Sequence, residues 1–172
     1  YQDDKLIVVV SAMGKMTNAF EWLINSYCYS PNKVRQSLNE IVDFHNIILW
    51  ELFPDKGHQV YVAVNELLFQ LEEFLDISYS NDYDQAYDSL VGFGELISTT
   101  IISHYLNSTG VENDWLDVRK VIKTNSDFRQ AKIDWEQTQA NVNKLDNSKI
   151  IVSQGFIGSD AEGSMTTLGR EG

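Results

Sequence analysis

This chain has little cysteine and no long hydrophobic run. Its 172 residues include one cysteine, Cys28, so an intrachain disulfide is excluded, which is typical of a reducing compartment. Cys28 lies in an apolar helical pattern, which predicts a buried and unreactive thiol. Neither a signal peptide nor an apolar run long enough to cross a membrane is found. We therefore expect a cytoplasmic protein outside the membrane.

Positive charge is also scarce. The 13 lysines and arginines are outnumbered by 25 acidic residues, which leaves a formal net charge of −12. No basic run interleaved with aromatic residues occurs, so the composition argues against a nucleic-acid-binding surface. The excess acid is interpreted as a solvated exterior. With 43% hydrophobic residues, the chain can bury a core and form one domain or the larger part of one.

The opening stretch, residues 6–18, predicts a strand, a tight turn and a helix. Its valine-rich start suits a strand buried on both faces of a parallel sheet. Residues 11–14 are small and form the turn, and Thr17 or Asn18 would cap a helix that starts near Thr17. Free N–H groups at such a helix start favour an anion, so this stretch predicts a phosphate or carboxylate site.

The middle of the chain predicts four successive helices without a strand between them. Apolar residues recur at helical spacing, and turn signals at residues 30–32, 54–57 and 81–84 separate the helices. The third helix is predicted at residues 59–77 and a continuous fourth helix at about residues 82–106. His45 falls on an apolar face and is interpreted as a core histidine.

After Gly110 the pattern changes to α/β alternation. Short strands are predicted at residues 115–118 and 149–153, and residues 132–135 are interpreted as another short strand or the approach to one. A helical turn is predicted at residues 118–122 and a helix at residues 136–145. The strand at 149–153 ends in a small polar residue, as the opening strand does. Because ligands collect at the carboxyl ends of parallel strands, we expect Ser11 and Ser153 to face one crevice.

The last twenty residues are rich in glycine and threonine. Their glycines allow sharp turns and close approach to a ligand, Ser159, Thr166 and Thr167 supply hydroxyl groups, and Arg170 supplies a planar fork for a carboxylate or phosphate. A ligand-binding loop and a surface loop without a ligand fit this composition equally well.

Four segments resemble, in order, motifs of the aspartate kinases of the amino acid kinase family. Residues 8–18 (VVVSAMGKMTN) resemble the second motif, residues 94–98 (GELIS) the Gly-Glu-Leu helix segment, and residues 115–119 (WLDVR) the Asp-x-Arg strand end. Residues 154–159 and 166–170 resemble the Gly-rich substrate loop. The resemblance covers nearly the whole chain.

This resemblance implies an α/β fold, a three-layer α/β/α sandwich with a mostly parallel sheet, as in carbamate kinase-like proteins. Residues 17–108 would form a large helical layer. Residues 1–172 would be a partial catalytic domain, the substrate-binding part.

The implied activity is transfer of the γ-phosphoryl group of MgATP to the side-chain carboxylate of L-aspartate. The product is 4-phospho-L-aspartate, used in lysine, threonine and methionine biosynthesis. The implied partners are L-aspartate, ATP and Mg²⁺, in a full-length protein that is a homo-oligomer. Two alternatives stay open: another family member, such as a glutamate or uridylate kinase, and a non-catalytic assembly or regulatory module.

The resemblance also implies roles for individual residues. Ser11 and Thr17 would hold the acceptor carboxylate and the transferring phosphoryl group, and Glu95 would pair with the substrate's α-ammonium group. No residue is implied as a metal ligand, and Asp117 with Arg119 is interpreted as a structural ion pair. The remaining implied contacts are the backbones of Ala12 and Gly14 for the nucleotide phosphate, those of Gly155 and Phe156 for the substrate, and Arg170 for its α-carboxylate.

The chain also departs from the family pattern. It has no Lys-Phe-Gly-Gly strand, whose lysine stabilises the transferring group, and Glu171 follows Arg170 where the family commonly has glycine. The nucleotide-binding half and the regulatory ACT domains are not present, and both ends look cut. We therefore expect these 172 residues to be inactive on their own.

Overall fold

A computed structural model describes residues 6–77, 82–145 and 150–169 and has a mixed α/β architecture. The helices are α1 (Met16–Tyr29), α2 (Val34–Leu52), α3 (Gln59–Ile77), α4 (Tyr83–Val91), α5 (Phe93–Ser108) and α6 (Trp135–Val142). The strands are β1 (Ile7–Val10), β2 (Asn113–Leu116), β3 (Ile150–Gln154), β4 (Ile157–Ser159) and β5 (Met165–Thr167).

The larger sheet is parallel, with the order β1-β3-β2. Val10 pairs with Gln154 and Leu116 pairs with Ser153, so the three strands end together at one edge. Strands β4 and β5 form a separate antiparallel pair. The predicted α/β class with a parallel sheet is confirmed.

Helices α1 to α5 occupy residues 16–108 and contain most of the core. α5 contacts α3 on one side and strands β2 and β3 on the other, and residues 93–101 are all buried. This position favours apolar or small side chains on all sides of the buried segment rather than along one stripe, and Glu95 is its charged exception. The largest fully buried side chains of the helical core are those of Phe20, Leu23, Ile24, Ile41, Leu49, Leu71, Leu90, Leu96, Ile97 and Ile101.

The continuous fourth helix predicted from the sequence is wrong, because the chain breaks at Gly92 into α4 and α5. A Cβ at Gly92 would lie 2.5 Å from Met165 Sδ and 2.9 Å from Ile157 Cγ2. The helix pair therefore turns where its backbone touches the β4–β5 pair. Apolar periodicity continues through the break, so the pattern alone does not reveal it.

The prediction that the opening strand is buried on both faces is also wrong. Ile7 is 47% exposed and Val9 is 61% exposed, and β1 lies at one end of the described sheet. An apolar groove of about 280 Å³ runs over this face, between β1 and the segments around Val121 and Leu145. A run of valines fits a strand covered on one face as well as a strand covered on both.

The structure decides two segments of the carboxyl half that the sequence leaves open. Residues 132–135 do not form a strand: Ile133 makes an isolated bridge with Thr124, and Asp134 caps α6. The last twenty residues, which a ligand-binding loop and a surface loop fit equally well by composition, contain the buried β4–β5 pair. Within the described ranges, no helix is long and apolar enough to cross a membrane.

Candidate functional site

The turn at residues 11–14 connects β1 to α1. Gly14 has a φ of +56°, and a Cβ there would lie 3.2 Å from Phe44 Cζ, so both conformation and space favour glycine. α1 begins at Met16, whose N–H donates to Met13 O at 3.1 Å. The predicted cap by Thr17 or Asn18 is therefore wrong.

Thr17 instead lies exposed in the first turn of α1. Among the described residues no side chain caps this helix, and its first turn contains no acidic residue. The first N–H groups of an α-helix have no acceptor within the helix. With Ser11 exposed at the start of the turn, this end of α1 is open to an anion.

Glu95 lies beneath the same turn. Its side chain comes from α5 and is only 4% exposed, and the Ala12 N–H donates to Oε1 at 3.4 Å. The other oxygen, Oε2, is buried and has no hydrogen-bond partner in the described part of the chain. Burial raises the pKa of this carboxyl group, and the Ala12 N–H partly offsets the effect. A buried carboxylate oxygen without a donor is costly, which suits a site that receives a cationic group.

Small side chains bring α5 this close to the turn. A Cβ at Gly94 would lie 3.0 Å from Ala12 Cβ, which leaves no room for a larger residue. The Ser98 hydroxyl donates to Ser11 O at 2.9 Å and holds α5 against the end of β1. The Gly-Glu-Leu segment and residues 11–14, predicted separately from the sequence, therefore meet.

Gly155 and Phe156 follow β3 and lie beside this turn, because Gln154 pairs with Val10. Phe156 has a φ of +69°, and its carbonyl accepts a hydrogen bond from the Leu168 N–H at 2.9 Å. The structure thus brings Gly155 and Phe156 to the carboxyl edge where Ser11 lies.

Ser153, expected to share this crevice with Ser11, is 3% exposed and donates to Leu116 O at 3.1 Å. Its hydroxyl is thus hydrogen bonded to β2. The residues that reach the edge of β3 are Gln154 and Gly155.

Sequence reasoning missed Gln154, which joins the ends of the strands to α5. Its amide is 2% exposed, accepts from the Val118 N–H at 2.9 Å and donates to Thr99 Oγ1 at 2.7 Å. Thr99 Oγ1 also accepts from Trp115 Nε1 at 3.0 Å and donates to Glu95 O at 2.8 Å. A polar residue at the end of a buried strand was the available signal.

The hydroxyl groups near the end of the chain serve the fold rather than an open site. Ser159 Oγ donates to a backbone carbonyl at 2.7 Å, and Thr166 Oγ1 lies 2.7 Å from Thr124 Oγ1. Thr167 Oγ1 donates to Asp88 at 2.7 Å. Asp88, completely buried on α4, was also missed by the sequence analysis, since its spacing resembles that of a solvated helix residue.

Asp117 and Arg119 form a bidentate ion pair, with N···O distances of 2.9 and 2.8 Å, as interpreted from the sequence. His45 is fully buried and Nδ1 lies 2.8 Å from Ile41 O, which confirms a core histidine.

Cys28 is half-buried rather than buried, and desolvation raises the pKa of its thiol. Arg170 and Glu171 lie outside the described residues.

Over the described ranges, no group of three or more His, Cys, Asp or Glu side chains is arranged to hold a metal ion.

Known proteins resemble this chain over nearly its whole length. It is 32% identical over 171 residues to the lysine-sensitive aspartokinase 3 of Escherichia coli, covering 96% of this chain and 37% of that protein. It is 34% identical over 168 residues to an aspartokinase of Chlamydia trachomatis, covering 96% and 36% respectively. The crystal structure of E. coli aspartokinase III with aspartate and ADP superposes with a TM-score of 0.84 at 30% identity, covering 98% of this chain and 38% of that one.

The chain therefore spans little more than a third of the length of these relatives. The family model described as "Amino acid kinase family" matches residues 1–172. This match agrees with the mixed α/β architecture and its parallel sheet. The chain belongs to the amino acid kinase family.

Proposed function

We propose that this chain is the substrate-binding part of an aspartate kinase. The enzyme transfers the γ-phosphoryl group of MgATP to the side-chain carboxylate of L-aspartate and forms 4-phospho-L-aspartate for lysine, threonine and methionine biosynthesis. The observation that carries the proposal is Glu95: a buried carboxylate, at the carboxyl edge of the sheet, with Oε2 lacking a donor among the described residues. The aspartokinase relatives and the aspartate named in the matched crystal structure support the choice of substrate.

Recognition of an amino acid requires both signs of charge at a fixed separation. In this proposal Glu95 pairs with the α-ammonium group, because Oε2 is available and a salt bridge offsets the cost of burying the carboxylate. Arg170 holds the α-carboxylate through its planar fork. The backbones of Gly155 and Phe156 close over the substrate.

The turn at residues 11–14 and the start of α1 hold the reacting groups. Ser11 and Thr17 are exposed at this edge, and their hydroxyls, with the backbones of Ala12 and Gly14, contact the acceptor carboxylate and the phosphoryl oxygens. A side-chain carboxylate oxygen of the substrate attacks the γ-phosphorus, the bond to the β–γ bridging oxygen breaks, and ADP leaves.

Mg²⁺ enters with the nucleotide in this scheme. It prefers one or two carboxylates together with phosphate oxygens and water over a cage of protein side chains. Catalysis is assigned to the full-length protein, a homo-oligomer in the cytoplasm.

The test is trapping of acyl phosphate by hydroxylamine, with the full-length gene product, ATP and L-aspartate. We compare wild type with Glu95→Gln and Arg170→Ala, and with Glu73→Gln as a matched control at an exposed helix position. We expect activity on aspartate and not on glutamate. The first two variants should raise KM for aspartate at least about 30-fold, since a charge pair in a buried site is worth roughly 2 kcal/mol or more. The Glu73 variant should match wild type.

Other outcomes lead to the alternatives. Acyl phosphate from glutamate, or phosphate transfer to uridylate, would assign the chain to another member of the family. No transfer from the full-length protein to any of these acceptors would favour the non-catalytic module.

A further inference from the structure

Asp88 is a fully buried carboxylate outside the proposed substrate contacts, and it accepts three hydrogen bonds. It lies on α4 and is 0% exposed. Its Oδ1 accepts the Thr167 hydroxyl at 2.7 Å, and its Oδ2 accepts the N–H groups of Thr167 and Arg129 at 2.8 and 2.9 Å. Desolvation raises the pKa of this carboxyl group, while the three donors oppose the shift.

Thr167 is held on every side that can form a hydrogen bond. The N–H and the hydroxyl of Thr167 both donate hydrogen bonds to Asp88. The carbonyl of Thr167 accepts a hydrogen bond from the Ala131 N–H at 3.0 Å. The next residue, Leu168, donates its N–H to the carbonyl of Phe156 at 2.9 Å. Asp88 is therefore connected to the turn that contains Phe156 by its hydrogen bonds to Thr167, the peptide link from Thr167 to Leu168 and the Leu168 hydrogen bond.

Arg129 provides a second attachment between the same elements. It has a φ of +65°, and its N–H reaches Asp88. Its guanidinium donates to Asp84 at 2.9 Å and lies 4.7 Å from the ring centre of Tyr87. The segment beside β5 is thus tied to α4 through both backbone and side chain.

These contacts connect the two ends of the proposed substrate site. Gly92 links α4 to α5, which carries Glu95, and the backbone of Gly92 packs on Met165 and Ile157. On the other side, Thr167 leads in sequence to Arg170. Asp88 therefore joins α4, the helix before the one that carries Glu95, to β5, the strand that precedes Arg170 in the sequence.

We propose that Asp88 is a positioning residue for the substrate: it fixes the Thr167 segment and, through Leu168, the Phe156 turn relative to Glu95. This inference rests on the proposed function. Asp88 does not touch the reacting atoms in this proposal, so its loss should weaken aspartate binding while leaving the chemistry of a bound substrate nearly unchanged.

The test uses the full-length protein and three variants. Thr167→Val has nearly the same shape but loses the hydroxyl donated to Asp88, while Thr167→Ser keeps that hydroxyl and loses a methyl group. Asp88→Asn removes the charge and retains the size of the side chain. Rates are measured by hydroxylamine trapping against both aspartate and ATP, and thermal unfolding is followed for each variant.

We expect Thr167→Val and Asp88→Asn to raise KM for aspartate about tenfold, since a hydrogen bond to a charged group contributes roughly 1.5 kcal/mol. In both, kcat and KM for ATP should stay within about threefold of wild type. Thr167→Ser should behave as wild type. A merely structural role would lower the unfolding midpoint without this selective effect on aspartate.

Contrary results separate the two proposals. If wild type makes acyl phosphate from aspartate but the KM for aspartate is unchanged in Thr167→Val and Asp88→Asn, the positioning role is wrong and the function stands. The same conclusion follows if Thr167→Ser is as impaired as Thr167→Val, or if either variant loses activity only by unfolding. If wild type makes no acyl phosphate from aspartate, the proposed function is wrong, and the positioning role with it.

Discussion

Two buried titratable side chains, Glu95 and His45, each have one polar atom without a partner in the described residues. The two side chains differ in how each can be uncharged in the core. His45 Nδ1 is hydrogen bonded to Ile41 O. In a neutral imidazole Nε2 carries no proton, so it can lie in an apolar core without a partner for its lone pair. Glu95 becomes neutral only by taking up a proton, and it lies under the turn at residues 11–14. Of the two side chains, Glu95 is therefore the one suited to bind a cationic group of a ligand.

Glu95→Gln should stabilise the ligand-free full-length protein while it weakens aspartate binding. Burial raises the pKa of Glu95, so the folded state binds the proton more tightly, and stability is lost as pH rises through the folded pKa. At pH 7.5 we expect a higher midpoint of thermal unfolding, corresponding to about 1–2 kcal/mol, and a smaller gain near pH 4. Glu73→Gln is the control. A lower midpoint for Glu95→Gln at pH 7.5 would contradict the prediction.

His45 should make the protein less stable in acid. Burial lowers its pKa from the usual 6.5, so the unfolded chain binds a proton that the folded chain does not, and stability falls as pH drops below that value. We expect His45→Leu to reduce the loss of thermal stability between about pH 7 and pH 5. Melting curves across this range test it, and an unchanged pH dependence would rule it out.

At the scale of elements, helix ends marked by turn residues were predictable and internal breaks were not. α3 begins at Gln59 and ends at Ile77, as predicted, because Pro54 and Gly57 precede it and its apolar spacing is regular. The break at Gly92 depends on contact with Met165, a residue far away in sequence, and no local signal encodes that contact.

Gly92→Ala should therefore destabilise the protein. The added Cβ would lie 2.5 Å from Met165 Sδ and 2.9 Å from Ile157 Cγ2, so buried side chains must shift, at a cost of about 1–3 kcal/mol. Thermal or urea unfolding measures this loss. Gly57→Ala is the matched control, since the added Cβ would meet only Asp55 in an exposed turn. Equal stability of the two variants would show that the Gly92 contact is unimportant.

At the scale of the whole molecule, the sheet is covered by α5 on one face and carries an apolar groove on the other. The groove includes Ile7 and Val9, which are both exposed. Exposed apolar surface of this kind favours association. The expected inactivity of the isolated 172 residues stays a prediction, which phosphate transfer by the purified chain would refute.

Because the groove is apolar and exposed, we expect the isolated chain to bind an apolar fluorescent dye and to self-associate as its concentration rises. Val9→Thr should reduce both, because it places a hydroxyl in the groove and preserves the β-branched shape. Val62→Thr, on the exposed surface of α3 and 73% exposed, is the control and should have little effect. Dye fluorescence and light scattering measure the difference, and equal reductions in both variants would show that the groove is not the surface responsible.

The sequence by itself determined the parallel α/β class and most helix ends, and through its resemblance to the amino acid kinase family it predicted the residues of the candidate site. Those features depend on local periodicity, turn residues and motifs, as in residues 11–14 and at Glu95. Only the tertiary structure decided that Ser11, Glu95 and Phe156 meet at one edge, that β1 has an open face, and that Asp88 holds Thr167. Burial and long-range hydrogen bonds depend on which distant segments pack together, and spacing along the chain does not specify this.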